Sequence, residues 1–440
     1  MVFDDFGGNG VLDQDSRAQP TELIGRKYSG TKYCLAGAGH QAAPIYNRVL
    51  KITILAAACV AMRLFAGSSL VDDGYNHFYN LEFDQALADF DRAIAQDPNN
   101  PDLHNHAAET VLFSEMYRDG ALESELVTGN NSLLRRAKLN PSPATKKQFL
   151  GEIQKALDLE QARLRRNPND AGALYAMGIT YGLRANYFFL VQKDWVGALH
   201  DSTTARKLHN RVSELDPSNA DARLVQGLHD YVIGSLPAYY KMVGFLIGFH
   251  GDKERGIHTV EQVAAHGSLN RVDAEVFLAA IYRRERQTAK ALPLVESLIA
   301  RFPRNYLLRF EQAGMYAALG DGKKAVACVQ QVAQLKTQGA PGYARVPWES
   351  VYYQLGTIQF WYNDLDAALA NMQKVTAHAE DVDLNTGVLA WMRVGQIYDL
   401  RQRHGLAVEA YKRAMAYAPE AEAARESRRY ISSPYRREKS

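Results

Sequence analysis

The chain has 440 residues, 47% of them hydrophobic and 23% charged, with a formal net charge of +2; that composition excludes a disordered or fibrous protein. With 51 basic against 49 acidic side chains, no overall field draws it to nucleic acid or to an anionic membrane, so partners are to be sought locally. Cys34, Cys59 and Cys328 lie far apart without a CxxC spacing, which excludes a disulfide framework and a cysteine zinc site.

Residues 1–43 are rich in Gly, Asp and Ala, have no sustained period, and read as a disordered or over-long N-terminal extension. In residues 44–67, Arg48 and Lys51 precede the apolar run Ile52 to Met62, and Ala66, Gly67 and Ser68 follow. Basic, apolar, small is the order of a secretory signal. The "AAAC" ending at Cys59 approaches a lipid-attachment box, although Ala56 stands where an aliphatic residue is usual. The run is shorter than the ~20 residues a spanning helix needs. Two readings follow: a signal or anchor, which makes the protein periplasmic or membrane-attached, and a first helix packed on the rest, which leaves it cytoplasmic. Export is favoured.

Residues 68–420 repeat. "DGYNHFYNLEFDQALADFDRAIAQDPNNPD" supplies Gly74, Phe83, Ala86, Phe90, Ala93 and Pro98, and "VGQIYDLRQRHGLAVEAYKRAMAYAP" supplies Gly395, Tyr398, Ala407, Tyr411, Ala414 and Pro419. In both copies the same interval separates the Gly from the Pro. Further copies carry Tyr282, Ala291 and Pro303; Tyr316, Gly320 and Ala325; and Leu355, Gly356 and Ala368. Gly178 and Tyr181 open a unit that closes only at Pro217, so this unit holds an insertion. Small residues let two helices approach, and the Pro stops the second one. The pattern resembles the tetratricopeptide repeat, which implies an all-α fold: a tetratricopeptide-repeat superhelical solenoid in which each hairpin buries its apolar face against its neighbours. The Pro-containing stretches 139–147 and 339–347 read as loops between blocks.

A short apolar insertion helix is predicted in the middle, in "LPAYYKMVGFLIGFHGDKERG". Pro237 suits the first helical position. Tyr239, Tyr240, Met242, Val243, Phe245, Leu246 and Ile247 make the helix greasy on nearly every side, the mark of burial, interrupted only by Lys241. Membrane contact through Tyr239 to Phe249 is the alternative, because Tyr and Lys suit a headgroup boundary; the segment is too short to span. Gly248 and Gly251 then turn the chain, and "GDKERG" starts the next helix. Ser235 to Pro237, Gly248 with Phe249, and the G-D-x-x-x-G of Gly251 to Gly256 resemble the central signature of the tetratricopeptide repeat protein 39 and inclusion-body clearance family. The resemblance covers roughly residues 72–420 and implies a non-enzymatic helical adaptor, in some members associated with membranes or with clearance of aggregated protein.

Nothing in the sequence carries a catalytic constellation. His104 and His106 are two apart, which points them to nearly opposite sides of a helix, and His229 with Asp230 and His250 with Asp252 are isolated pairs. HExxH, GxSxG, Walker and dinucleotide glycine motifs do not occur. An enzyme, a metal and a cofactor are therefore not expected. The expected use is binding on a concave face lined by the first helix of each repeat, with Phe310; Tyr353, Thr357 and Phe360; and Met392, Gln396 and Asp399 as the partner-binding residues. Alternatively, Tyr353 and Phe360 fill the core between repeats. Val71 and Tyr75, Tyr353 and Thr357, and Met392 and Gln396 stand where carboxylate-clamping repeats carry Lys and Asn, so recognition of a chain-terminal carboxylate is disfavoured.

Residues 421–440 form a basic tail with Arg425, Arg428, Arg429, Arg436, Arg437 and Lys439, read as a solvated, frayed end. Tyr430 and Tyr435 give weak support to attachment to an anionic surface or nucleic acid, and no nucleic-acid partner is expected. The function read from the sequence is a protein-interaction scaffold holding a peptide or partner protein. A peripheral membrane or lipid-associated protein using residues 236–249 is the alternative.

Overall fold

The repeat rests on close approach of paired helices. In the computed structural model, which describes residues 69–120, 122, 139–235 and 251–437, a Cβ added at Gly74 in α1 (Leu70–Tyr79) would lie 2.6 Å from the ring of Phe90 in α2 (Phe83–Gln96). At the far end, Gly395 in α15 (Leu384–Leu400) meets the ring of Tyr411 in α16 (His404–Tyr417) at 2.3 Å. Only hydrogen fits at either position, which is why both copies carry Gly in the same slot.

Between these ends the chain continues as α3 (Pro101–Arg118), α4 (Pro143–Arg166), α5 (Ala171–Tyr187), α6 (Trp195–Leu215), α7 (Leu224–Gly234) and α8 (Lys253–His266). Then follow α9 (Arg271–Arg284), α10 (Thr288–Arg301), α11 (Tyr306–Ala318), α12 (Gly322–Thr337), α13 (Trp348–Trp361) and α14 (Leu365–Ala377). With α17 (Glu422–Ser432), the described residues form seventeen α-helices and no strand. Each helix packs on its neighbours in the chain, so the all-α solenoid expected from the repeat is the architecture found.

Local chemistry sets the boundaries. Asn100, Asp170, Asn305 and Asp383 each accept a hydrogen bond from a first-turn N–H of α3, α5, α11 and α15, satisfying donors that a helix cannot pair internally. The turns within hairpins share a feature invisible in the repeat pattern. Leu81, Arg286, Gly320, Asn363 and Gln402 each lie two residues past the first helix with φ between 58° and 87°, yet only one is glycine. The stretch 139–147 is only partly a loop, because Ser142 caps α4 through the Thr145 N–H and Pro143 occupies its first position. The insertion before Pro217 is absorbed into a longer hairpin: α5 runs into a π-helical turn, Phe188–Gln192, before the 21-residue α6.

The superhelix returns on itself. Arg304, just before α11, donates from Nε and Nη2 to the two carboxylate oxygens of Glu82 at 2.8 Å each, across 222 residues of sequence. Its backbone N–H donates to Oδ1 of Asn80 at 2.9 Å, and Asn305 Nδ2 donates to the carbonyl of Tyr79 at 2.8 Å. The Tyr79 hydroxyl reaches Oδ1 of Asp273 in α9 at 2.8 Å. One apolar cluster accordingly joins Phe78, Phe83 and Phe90 to Leu307, Phe310 and Val329.

The compact unit runs from Ser69 to Arg436, further than the repeat spacing suggests. Residues 421–437 are not a frayed tail: α17 packs on α15 and α16, and the Tyr435 ring joins the apolar cluster of Phe360 and Ile397. The predicted apolar segment 44–67 and the predicted insertion helix at 236–250 lie outside the described residues. The "GDKERG" turn does start a helix, with Asp252 capping α8 through the Arg255 N–H at 2.8 Å. Among the described residues no helix is long and apolar enough to cross a membrane.

Candidate partner-binding face

Phe310 is a core residue. It is fully buried in the cluster that unites α1, α2 and α11, with the Tyr306 ring edge-on at 5.7 Å. From its own repeat Phe310 faces a groove; in the returning superhelix it is enclosed in a cluster that includes residues of the first hairpin.

On α13, Tyr353, Thr357 and Phe360 follow the i, i+4, i+7 spacing of one helix face. Tyr353 and Phe360 are buried and Thr357 is half-buried. The α15 residues divide. Met392 joins Ala407, Tyr411 and Ala414 in the cluster toward α16. Asp399 is engaged by the chain itself, accepting from Tyr411 Oη at 2.8 Å and from the Tyr435 N–H at 2.8 Å, with His404 Nδ1 at 2.7 Å. Gln396 is buried and accepts from Nη1 of Arg393 at 2.8 Å.

Arg393 lies one helical turn before Gln396 on the same side of α15. Its guanidinium carbon sits 4.1 Å from the centroid of the Phe360 ring and 5.1 Å from that of Trp361. Burial pulls its pKa below the ordinary guanidinium value, yet an arginine in a protein stays protonated. Four other half-buried arginines have carboxylates: Arg184 pairs with Asp201, Arg283 with Glu311, Arg301 with Glu275, and Arg304 with Glu82. Among the described residues Arg393 has none. Trp361, at its side, is 42% exposed, so the patch reaches the surface.

A second polar cluster lies in the seam between the first hairpin and α9. The Tyr75 hydroxyl is 2.6 Å from His106 Nδ1 and 3.5 Å from Glu109, and the Tyr79 hydroxyl bonds Asp273. Enclosure raises the carboxyls of Glu109 and Asp273 and lowers His106 to about 4. These groups pair across the closure of the superhelix. His104 sits 2.7 Å from Glu152, which raises its pKa, so the two neighbouring histidines turn to different partners. Among the described residues no group of three or more His, Cys, Asp or Glu is arranged to hold a metal.

A tetratricopeptide-repeat family model matches residues 277–342, spanning parts of α9 to α12 and the turn beyond. No curated protein matches the chain. Among solved structures it is similar to the APC/C hetero-tetramer Cut9-Hcn1, at 15% identity and TM-score 0.46, over 82% of this chain and 55% of that one. The chain thus spans about half the length of that relative. It is also similar to human IFIT1, solved as a dimer with m7Gppp-AAAA, at 14% identity and TM-score 0.43, over 84% of this chain and 83% of that one. Yeast Tom70 is a third, at 12% identity and TM-score 0.38, over 83% and 94%.

Proposed function

We propose that this protein is a non-enzymatic interaction scaffold that binds a peptide or partner protein on the inner face of its helical-repeat solenoid, at α13 and α15. The observation that carries this reading is the patch where exposed Trp361 lies 5.1 Å from half-buried Arg393, a cation with no carboxylate of its own among the described residues, on the face of α13 and α15 that half-buried Thr357 shares with Phe360. Trp, Tyr and Arg concentrate at protein interfaces, where rigid aromatic area and fixed donors bind at small entropic cost. Of the residues expected from the sequence, half-buried Thr357 lies on this face, and buried Tyr353, Phe360 and Gln396 lie beneath it, filling the core between repeats. Met392 and Asp399 support it from within, whereas Phe310 belongs to the core shared by the first hairpin and α11. The tetratricopeptide match over residues 277–342 supports a scaffold, and the resemblance to the tetratricopeptide repeat protein 39 and inclusion-body clearance family points the same way, through a motif lying mostly outside the described residues.

The experiment is site-specific photo-cross-linking. A benzophenone side chain is placed at Thr357, or at exposed Glu409 on α16 as a control, and the full chain is irradiated in extract of its native cells. Proteins captured from Thr357 and absent from Glu409 support the reading. The same set at both positions, or none at Thr357, overturns it.

A further inference from the structure

We infer that the α13/α15 face takes its partner through an acidic side chain, an Asp or Glu within the partner's chain, whose carboxylate pairs with Arg393. The inference rests on the binding reading above and adds the chemistry of the occupant.

The charge is the first observation. A guanidinium enclosed by protein and left without a counter-charge is costly. Around Arg393 the facing groups are the rings of Phe360 and Trp361 and the amide of Gln396. Tyr353, Tyr430 and Tyr435 are close enough to act on it electrostatically, but a tyrosine carries no charge near neutral pH. Glu426, the acid that acts on it, instead accepts from the Tyr430 hydroxyl and pairs with Arg429 at 3.9 Å.

Geometry is the second. The planar head is pre-oriented, stacked against Phe360 and held through Nη1 by Gln396. Of its five N–H donors, the one hydrogen bond to Gln396 leaves others for a forked pair with a carboxylate. Trp361, 42% exposed at the edge, offers an apolar face to the residue beside that acid. The lysine and asparagine positions that grip a terminal carboxylate in related repeats are Tyr353 with Thr357 and Met392 with Gln396 here. A side-chain carboxylate is therefore the occupant that fits.

The test selects binders to the full chain from a random peptide library displayed through the peptide C-terminus, so that no chain-end carboxylate is on offer. Enriched peptides are then synthesised with amidated ends. The expected result is a shared Asp or Glu next to an aromatic residue. Changing that acid to Asn or Gln should weaken binding to the unaltered protein about tenfold to a hundredfold, and Arg393→Gln should give a similar loss and abolish the preference for the acid. Because the peptide-side change uses the native chain, the outcome stands even where Arg393→Gln fails to fold. Peptides that lose binding on Thr357→Arg but are indifferent to their own acid overturn the inference and leave the binding reading intact. Selected peptides indifferent to Thr357→Arg, or no selected peptides at all, overturn both.

Discussion

The backbone N–H of Tyr435 donates to Oδ2 of Asp399 at 2.8 Å, tying the segment after α17 to the first helix of the last hairpin. The same carboxylate accepts from Tyr411 and contacts His404, whose Nε2 is in turn 3.2 Å from the Ile431 carbonyl. One side chain thus fixes α15, α16 and the segment after α17. Asp399→Ala should destabilise this end by about 2–4 kcal/mol, since it removes charge-assisted bonds and leaves buried donors unpaired. In a repeat array each hairpin answers mainly to its neighbours, so the loss is local. Hydrogen exchange should accelerate over residues 404–436 and hold over residues 143–215; unchanged protection at 404–436 refutes the anchor role.

Glu160 gives a pH prediction. Fully buried in α4, it accepts from Thr180 Oγ1 at 2.6 Å and from Asn105 at 3.4 Å, while its second oxygen has no hydrogen-bond partner. Burial raises its pKa to about 7. The folded state therefore holds this proton more tightly than the unfolded chain, whose carboxyl titrates near its ordinary value of 4.5. Stability from this group is intact at acid pH, falls as pH rises between those values, and stays low above about 7. Glu160→Gln should raise stability by an amount of order 3 kcal/mol near pH 8 and change it little near pH 4.5. Urea midpoints at the two pH values measure it, and an equal effect at both rules the mechanism out.

Gly395→Ala tests the repeat spacing. The added methyl would lie 2.3 Å from the Tyr411 ring, itself fully buried. Overpacking of this kind costs about 1–3 kcal/mol. The denaturation midpoint should drop accordingly, and pairing the change with Tyr411→Leu should recover part of the loss. Additive losses in the double variant count against direct contact.

Closure of the superhelix is tested at Arg304. Its forked pair with Glu82 is partly buried on both sides, so Arg304→Ala should cost about 1–3 kcal/mol. The distinguishing readout is distance in sequence: exchange should quicken over residues 70–96, although the substitution stands more than two hundred positions later. Quickening confined to residues 300–318 means the contact does not hold the first hairpin.

The spacing of Gly74 from Pro98 and of Gly395 from Pro419 made the hairpins legible, because each small slot answers to one large neighbour within the same repeat. What could not be read is whatever joins distant repeats. Phe310 looks groove-facing from its own helix, and only the meeting of Glu82 with Arg304 shows it covered. Tyr435 sits in a run of basic residues that reads as a solvated end, and its destination at Asp399 is set by tertiary packing. The left-handed residues Leu81, Arg286 and Gln402 were equally silent, since a turn that glycine would favour is held here by ordinary side chains at a cost of about 1–2 kcal/mol each. Arg393 was silent too, because the rings against it, Phe360 and Trp361, come from the preceding hairpin.

The Glu82–Arg304 pairing has a mechanical consequence. An open helical coil behaves as a spring, lengthening smoothly when its two ends are drawn apart. Here Asn80, Glu82 and Arg304 act as a clasp between the first turn and a coil far downstream, so tension applied near Ser69 and Ser432 meets the clasp before it can uncoil the stack. Extension should therefore begin only at a threshold load, at which the clasp and the apolar cluster of Phe78, Phe90 and Phe310 part together.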